Sequence, residues 1–268
     1  MLLLLLFLVP NVYSLSVLWI GNSYTYVNDV PLTVSKLAAA ENLDFEYDSH
    51  TEGGWTWEMH SQSQETLDKI KLKQWDVVVL QEFSLRPAYD EDRICRNSVE
   101  YLKVLVERIR ENNPQTIIQF YVTWGRPYGF QKDCPSYPQM CTYDSMQDVL
   151  TQSYTTFASG MNKPSRASPV GEAFRAVQEI LGDDEFFSLY NTNGVSDHHA
   201  SAKGSYLSAL VHFGSMFQRS IVGIPEPAGL DQITAEKLQF IGQNVLDSRS
   251  WEYPMEDDCS ACICDCQE

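Results

Sequence analysis

The sequence predicts an α/β protein, a three-layer α/β/α sandwich around a central, roughly five-stranded parallel sheet. Three observations carry this expectation. Short apolar runs of strand length alternate along the chain with segments of helical period, and no internal repeat interrupts the alternation. The run "WDVVVLQ" is apolar at consecutive positions, as a strand covered on both faces of a parallel sheet must be. With 268 residues, 44% of them hydrophobic, the chain can bury one full core.

The elements follow in order. "LSVLWIG" (15–21) reads as the first strand, "DFEYDS" (44–49) as the second, "WDVVVLQ" (75–81) as the third, "TIIQFYV" (116–122) as the fourth and "SRASPV" (165–170) as a shorter fifth. Asp29 followed by Pro31 starts a helix whose apolar face includes Leu32, Leu37 and Ala38. Asn97 with Glu100 three residues later has the form of a capping box, and Val99, Leu102, Val106 and Ile109 follow at helical spacing. Met146, Val149, Leu150 and Phe157 mark a helix ending near Gly160. Beyond Ser201, Leu207, Leu210, Phe213 and Phe217 form a stripe, and Leu238, Ile241 and Val245 mark the last helix. After about Arg249 the chain becomes an acidic, Cys-rich extension, so three parts are expected: residues 1–14, 15–248 and 249–268.

"MLLLLLFLVPNVYS" is an apolar run too short to span a bilayer, with small or medium residues at Val12 and Ser14. It reads as a signal peptide cut after Ser14, with an uncleaved anchor as the alternative. The mature protein is expected to be soluble and exported. A net charge of −17 argues against nucleic acid and anionic membranes as partners, because both require clustered Lys and Arg. Export gives the seven cysteines a meaning, since an oxidising compartment favours disulfides. Cys134 and Cys141 enclose a Pro-rich loop and are expected to pair. Cys259, Cys262, Cys264 and Cys266 in the tail read as disulfide partners of one another or of Cys95, with a soft metal as the other reading.

In open α/β sheets ligands bind beyond the carboxyl ends of the strands, where Gly21-Asn22-Ser23, Gln81 and "TWGRP" (123–127) are expected. A Gly-Asn-Ser turn between a buried strand and a helix start can expose a serine hydroxyl as a nucleophile, and the helix start can supply N–H groups to an oxyanion. By itself the tripeptide equally suits a turn or a helix cap. A base must come from five histidines. His212 lies in the apolar stretch "SALVHFGSMF" and reads as a hydrogen-bonded helix residue. His50 and His60 flank the Gly53-Gly54 loop. His198 and His199 follow Asp197 in a loop leading into a helix, where a carboxylate can orient an imidazole toward a serine.

These residues resemble the SGNH (GDSL-like) hydrolases, in particular a branch of exported proteins with a Gly-Asn-Ser motif, over roughly residues 16–248. "IGNSYT" resembles the first block of that superfamily, "TEGGWT" the second and "VVVLQEFSLRP" the third; "TWGRP", "PVGEAF" and "HASAKGSYLSAL" resemble further stretches of the branch. The resemblance implies a flavodoxin-like SGNH fold and a serine ester hydrolase that needs no cofactor. Ser23 is implied as nucleophile, His199 as base and Asp197 as its orienter. The oxyanion donors implied are the Ser23 N–H, Gly54 or its neighbour Gly53, and Gln81, whose amide stands where the superfamily has Asn. The superfamily spaces Asp three residues before the catalytic His, whereas Asp197 lies two before His199 and Ser196 three before. A Ser-His-Asp triad with a reshaped loop, a Ser-His dyad, and His198 as base all remain open on the sequence.

Trp55, Trp57, Tyr89, Trp124 and Tyr128 fall in loops expected to ring the site, where exposed rings suit sugars; packing around long loops is the other reading. Trp55, Trp124 and Tyr128 are the substrate-binding candidates. The substrates implied are small-molecule or glycan esters, acetyl esters of carbohydrates first among them. Two rivals accompany this reading: a metal site at Asp197-His198-His199, and a hydrolase-fold protein that binds a glycan or partner without turning it over.

Overall fold

Strand β1, Leu15–Gly21, is covered on both sides: Val17 to Ile20 have essentially no solvent contact. The computed structural model describes residues 14–160 and 164–253. Around β1 the sheet runs in the order β2-β1-β3-β4-β5-β6, with β2 at Phe45–Thr51, β3 at Val77–Leu80, β4 at Ile117–Tyr121, β5 at Ser165–Ser168 and β6 at Glu252–Tyr253. The first five strands in that order are parallel, and β6 joins β5 antiparallel. All five expected strands form, each within a few residues of its expected bounds.

Chain order reverses at β1, since β2 lies on one side of it and β3 on the other. The crevice opened by such a reversal at the carboxyl ends of the strands is where open α/β sheets hold their ligands. Ser23 leaves β1 at that crevice, and Gln81 leaves β3 there.

Helices α1 (Ser23–Tyr26), α2 (Val30–Ala40), α3 (Trp57–Gln62), α4 (Gln64–Lys71), α5 (Glu91–Ile94), α6 (Glu100–Asn112), α7 (Tyr143–Gly160), α8 (Val170–Leu181), α9 (Asp183–Phe187), α10 (Ala202–Phe217) and α11 (Gln232–Asp247) connect the strands. One group packs α2 and α11 against α10; another packs α3 and α4 against α6, while α7 lies on β4 and β5. Local side-chain caps start α2, as the sequence places it, and α10. Asp29 accepts the Leu32 N–H at 3.1 Å ahead of Pro31, and Ser201 accepts the Gly204 N–H at 3.3 Å.

Four features depart from expectation. Leu32, expected on the apolar face of α2, is exposed, because the buried stripe is Val30, Val34, Leu37 and Ala38. Asn97 is no cap: the chain is already helical from Glu91, capped by Asp90, and continues through a π turn at Cys95–Val99 into α6. The sheet runs on past residue 248, since Trp251 is 7% exposed and β6 pairs with β5. The fifth strand ends at Ser168, before Pro169.

Cys134 and Cys141 form the expected disulfide, and Cys95 is buried. The expected leader up to Tyr13 and the four tail cysteines lie outside the described residues. Among the described residues no helix is long and apolar enough to cross a membrane.

Candidate active site

Gly21 ends β1 because nothing larger fits. A Cβ there would stand 2.7 Å from both the Gln81 Oε1 and the Thr25 Oγ1. This close approach lets the Gln81 amide oxygen accept the Asn22 N–H at 2.8 Å and the Thr25 hydroxyl at 3.0 Å. Asn22 then caps α1, its Oδ1 accepting the Tyr24 N–H at 3.2 Å, and its Nδ2 donates to the Trp55 carbonyl at 2.8 Å. Ser23 is therefore the first residue of a short helix whose preceding turn is held from β3 and from the Gly53-Gly54 loop. A residue at that position has no carbonyl within the helix to take its N–H.

The Ser23 Oγ lies 2.8 Å from His199 Nε2, and His199 Nδ1 lies 2.5 Å from Asp197 Oδ1. The short spacing of Asp197 and His199 works because the carboxylate folds forward. Its Oδ1 also accepts the His199 backbone N–H at 3.0 Å, and its Oδ2 accepts Asn191 Nδ2 at 3.2 Å. Ahead of it, Thr192, Asn193 and Gly194 take left-handed backbone angles, with φ of 52°, 53° and 75°, that bend the loop. Tyr190 pairs with Ala200, and the Asn191 N–H donates to the His199 carbonyl at 2.9 Å. Asn28 Nδ2 reaches the Ala200 carbonyl at 2.9 Å, so the serine and histidine segments are tied directly. Burial pushes the Asp197 carboxyl up, but hydrogen bonds from the His199 backbone and ring and from Asn191 outweigh it and hold the pKa below its ordinary value.

Behind this row lies a second one. His60 Nε2 is 2.8 Å from the Gly21 carbonyl, His60 Nδ1 is 3.0 Å from Thr66 Oγ1, and His50 Nδ1 is 2.6 Å from the same hydroxyl. A carbonyl only accepts, so His60 Nε2 carries its proton, Thr66 donates to His60 Nδ1, and His50 donates to Thr66. Burial draws the His60 pKa down to about 4, which keeps the ring in this one tautomer. His50 and His60 are thus inside the fold, bracing the Gly21-Asn22-Ser23 turn, and His212 is the buried helix residue expected, 3.1 Å from Gln119 Nε2.

Gln81 departs from its expected role as oxyanion donor. Asn22 N–H can only donate and the Glu82 carbonyl can only accept, so the amide oxygen faces the Ser23 turn and the Nε2 donates to Glu82. Gly54 is exposed at φ 74°, a left-handed conformation that favours glycine, in the turn closed by the Trp55 N–H on the Glu52 carbonyl.

No protein-family model matches the sequence, and no curated protein matches it. Solved structures do. The chain is similar to a DUF4886 family protein from Bacteroides uniformis, with 19% identity over 87% of this chain and 95% of that one and a TM-score of 0.72. A GDSL-like protein from Parabacteroides merdae aligns at 16% identity over 78% of this chain and 100% of that one, with a TM-score of 0.51. The lipase Lip_vut3 from a goat rumen metagenome aligns at 12% identity over 75% and 98%, with a TM-score of 0.50. The fold is that of the GDSL-like (SGNH) hydrolases.

On this GDSL-like fold the aromatic residues divide. Trp124 is a correction: it is fully buried, stacked on Tyr24 at 4.3 Å and on Phe174 at 4.7 Å, and cannot offer a face to a sugar. Its indole N–H donates to the His198 carbonyl at 3.0 Å, so it supports the histidine loop. Trp57 is fully buried and Tyr89 nearly so, both for packing. Trp55 is half-buried, its ring edge-on to His50 and His60 at 5.0 Å; Tyr128 is exposed and stacked on Phe187 at 5.2 Å.

The metal reading of Asp197-His198-His199 fits poorly. Their ligand atoms lie within 4.8 Å of one another, but both His199 ring nitrogens are engaged by Ser23 and Asp197, and Arg126 Nη2 stands 3.5 Å from His198 Nε2. A guanidinium there competes with any cation.

Sequence reasoning missed Asn28, Asn191, Thr25 and Arg126, and it placed His60 beside the Gly53-Gly54 loop without its contact to the Gly21 carbonyl. Only "TWGRP" carried a signal for such partners. Trp124 holds the His198 carbonyl, the Gly125 carbonyl accepts the Tyr190 hydroxyl at 2.9 Å, Arg126 reaches His198, and Pro127 abuts Gly194.

Proposed function

We propose that the protein is an exported serine ester hydrolase acting on short-chain or acetyl esters, with carbohydrates as the alcohol class. The observation that carries this reading is the continuous Asp197–His199–Ser23 hydrogen-bonded row, at 2.5 and 2.8 Å. Ser23 Oγ attacks the ester carbonyl while His199 Nε2 takes its proton and passes it to the leaving alcohol. Asp197 fixes the ring with Nδ1–H toward its carboxylate and stabilises the imidazolium that forms. The Ser23 and Gly54 N–H groups receive the oxyanion, and Gln81 holds the turn that aims them. Water then attacks the acyl-enzyme by the same route and releases the acid.

The lipase among the similar structures supports the ester chemistry, and the Cys134–Cys141 disulfide supports an oxidising compartment. The test is hydrolysis of 4-nitrophenyl acetate by the wild type, Ser23→Ala and His199→Ala, with labelling by a fluorophosphonate. Each variant is expected to lose kcat by about 1,000-fold or more while melting as the wild type does. Wild-type rates in Ser23→Ala, or labelling at another residue, would sink the assignment.

A further inference from the structure

Arg126 follows Gly125 in the loop after β4 and reaches the residue next to His199. Its Nη2 lies 3.5 Å from His198 Nε2, its guanidinium carbon stands 4.4 Å from the centre of the Phe130 ring, and its Nε is buried without an acceptor. Among the described residues no carboxylate comes within ion-pair distance of it, whereas Arg86, Arg108, Arg166 and Arg175 each pair with one. Arg93, Arg96, Arg219 and Arg249 have no ion pair to a carboxylate among the described residues either, but the last three are exposed and Arg93 donates to the Tyr137 hydroxyl, whereas Arg126 is half-buried. A half-buried cation without a counter-charge costs stability that packing alone does not return.

The neighbouring groups do not neutralise it. Asp133 influences it only from a distance, and that carboxylate already accepts the Tyr89 hydroxyl at 2.6 Å. Tyr24 and Tyr89 are phenols in high-pKa surroundings and stay uncharged. Burial, Arg126 and His199 together draw the His198 pKa down to about 4, so this ring is a neutral acceptor at working pH. His198 stacks on His199 with ring centres 4.9 Å apart, which puts the guanidinium one side chain from the base. Part of Arg126 still reaches solvent.

We propose that Arg126 is the carboxylate-recognition element of this site, so that the preferred substrate is an ester whose alcohol part carries a carboxylate, as an acetylated acidic sugar does. This inference rests on the ester-hydrolase reading for its chemistry and on Arg126 for its specificity. A guanidinium presents a planar fork that fits a carboxylate through paired hydrogen bonds, and its charge persists at every working pH.

Two esters of one scaffold test it: 4-acetoxybenzoate and its methyl ester, each rate normalised to hydroxide-catalysed hydrolysis. The wild type is expected to favour the carboxylate in kcat/KM by about 10- to 100-fold, the range of a charge-assisted hydrogen bond, with the difference carried by KM. Arg126→Gln is expected to abolish the ratio and Arg126→Glu to turn it toward the methyl ester. Equal use of both esters by the wild type, or a ratio unchanged in Arg126→Gln, would overturn the inference and leave the esterase reading standing.

Calorimetric titration of Ser23→Ala with 4-acetamidobenzoate separates the two ideas. Binding that disappears in Ser23→Ala/Arg126→Gln, with no hydrolysis of any ester by the wild type, would keep the carboxylate site and overturn the esterase. Neither binding nor turnover would overturn the inference. If the Arg126 variants fail to fold, the wild-type ratio and the Ser23→Ala titration decide it.

Discussion

At the residue scale the site depends on atoms that leave no room. Gly21 is the clearest case, because the Gln81 oxygen that braces the Asn22 N–H occupies the space a Cβ would need. Gly21→Ala is expected to cost about 1–3 kcal/mol of stability by overpacking and to lower kcat, since the same shift displaces Ser23. Thermal melting beside ester hydrolysis checks this; an unshifted Tm with full activity would mean the turn has slack. His199 and Asp197 are a second case. Their two-residue spacing leaves a triad, a dyad or His198 as base open in the sequence, and the forward fold of the Asp197 side chain, aided by Asn191, brings its carboxylate to His199 Nδ1.

At the element scale the strands were legible because a parallel strand covered on both faces leaves an uninterrupted apolar run, as Val77–Leu80 does. A helix start was legible where its cap is local, at Asp29, and misread at Asn97, where an earlier helix runs on through the position. The short strand β6 was missed for a different reason. Two residues of strand carry no periodic signal, so Trp251 and β6 could be recognised only by what they touch. Trp251 is buried, and its indole N–H donates to the Val245 carbonyl at 3.0 Å. Trp251→Ala is expected to destabilise the fold by about 3 kcal/mol, measured by denaturant unfolding, while leaving the Ser23 site active. An unchanged midpoint would detach residues 249–253 from the domain.

At the scale of the whole molecule, buried titratable groups set how stability follows pH. Burial draws His60 and His198 to about 4 and His212 to about 3, all from 6.5, so the unfolded chain binds these protons first as pH falls. Their contribution is present above pH 6.5 and is lost as pH falls toward 4. Glu82 works in the other direction. Burial raises it from 4.5 to about 7, so the folded chain keeps that proton longer and its contribution is lost as pH rises between those values. Three groups oppose one, leaving the unfolded state about two protons ahead near pH 5.5, and Tm is expected to climb from about pH 4.5 to 6.5. Glu82→Gln removes the opposing group, steepening the climb and raising Tm at pH 8 above the wild type. A flat wild-type profile would contradict the burial of these histidines.

What the sequence by itself determined is the order and kind of the elements and the place of Ser23, because local periodicity, caps and the strand–turn–helix junction are written in adjacent residues. The tertiary structure alone decided which groups face the serine and which support it from behind. Trp124 became a support and not a sugar platform, the Gln81 oxygen and not its nitrogen met the turn, and Arg126 came to His198 from 72 residues away. Each of these depends on the direction of a side chain across a strand or loop crossing, and hydrogen bonds and packing between distant segments set that direction only once the sheet has assembled.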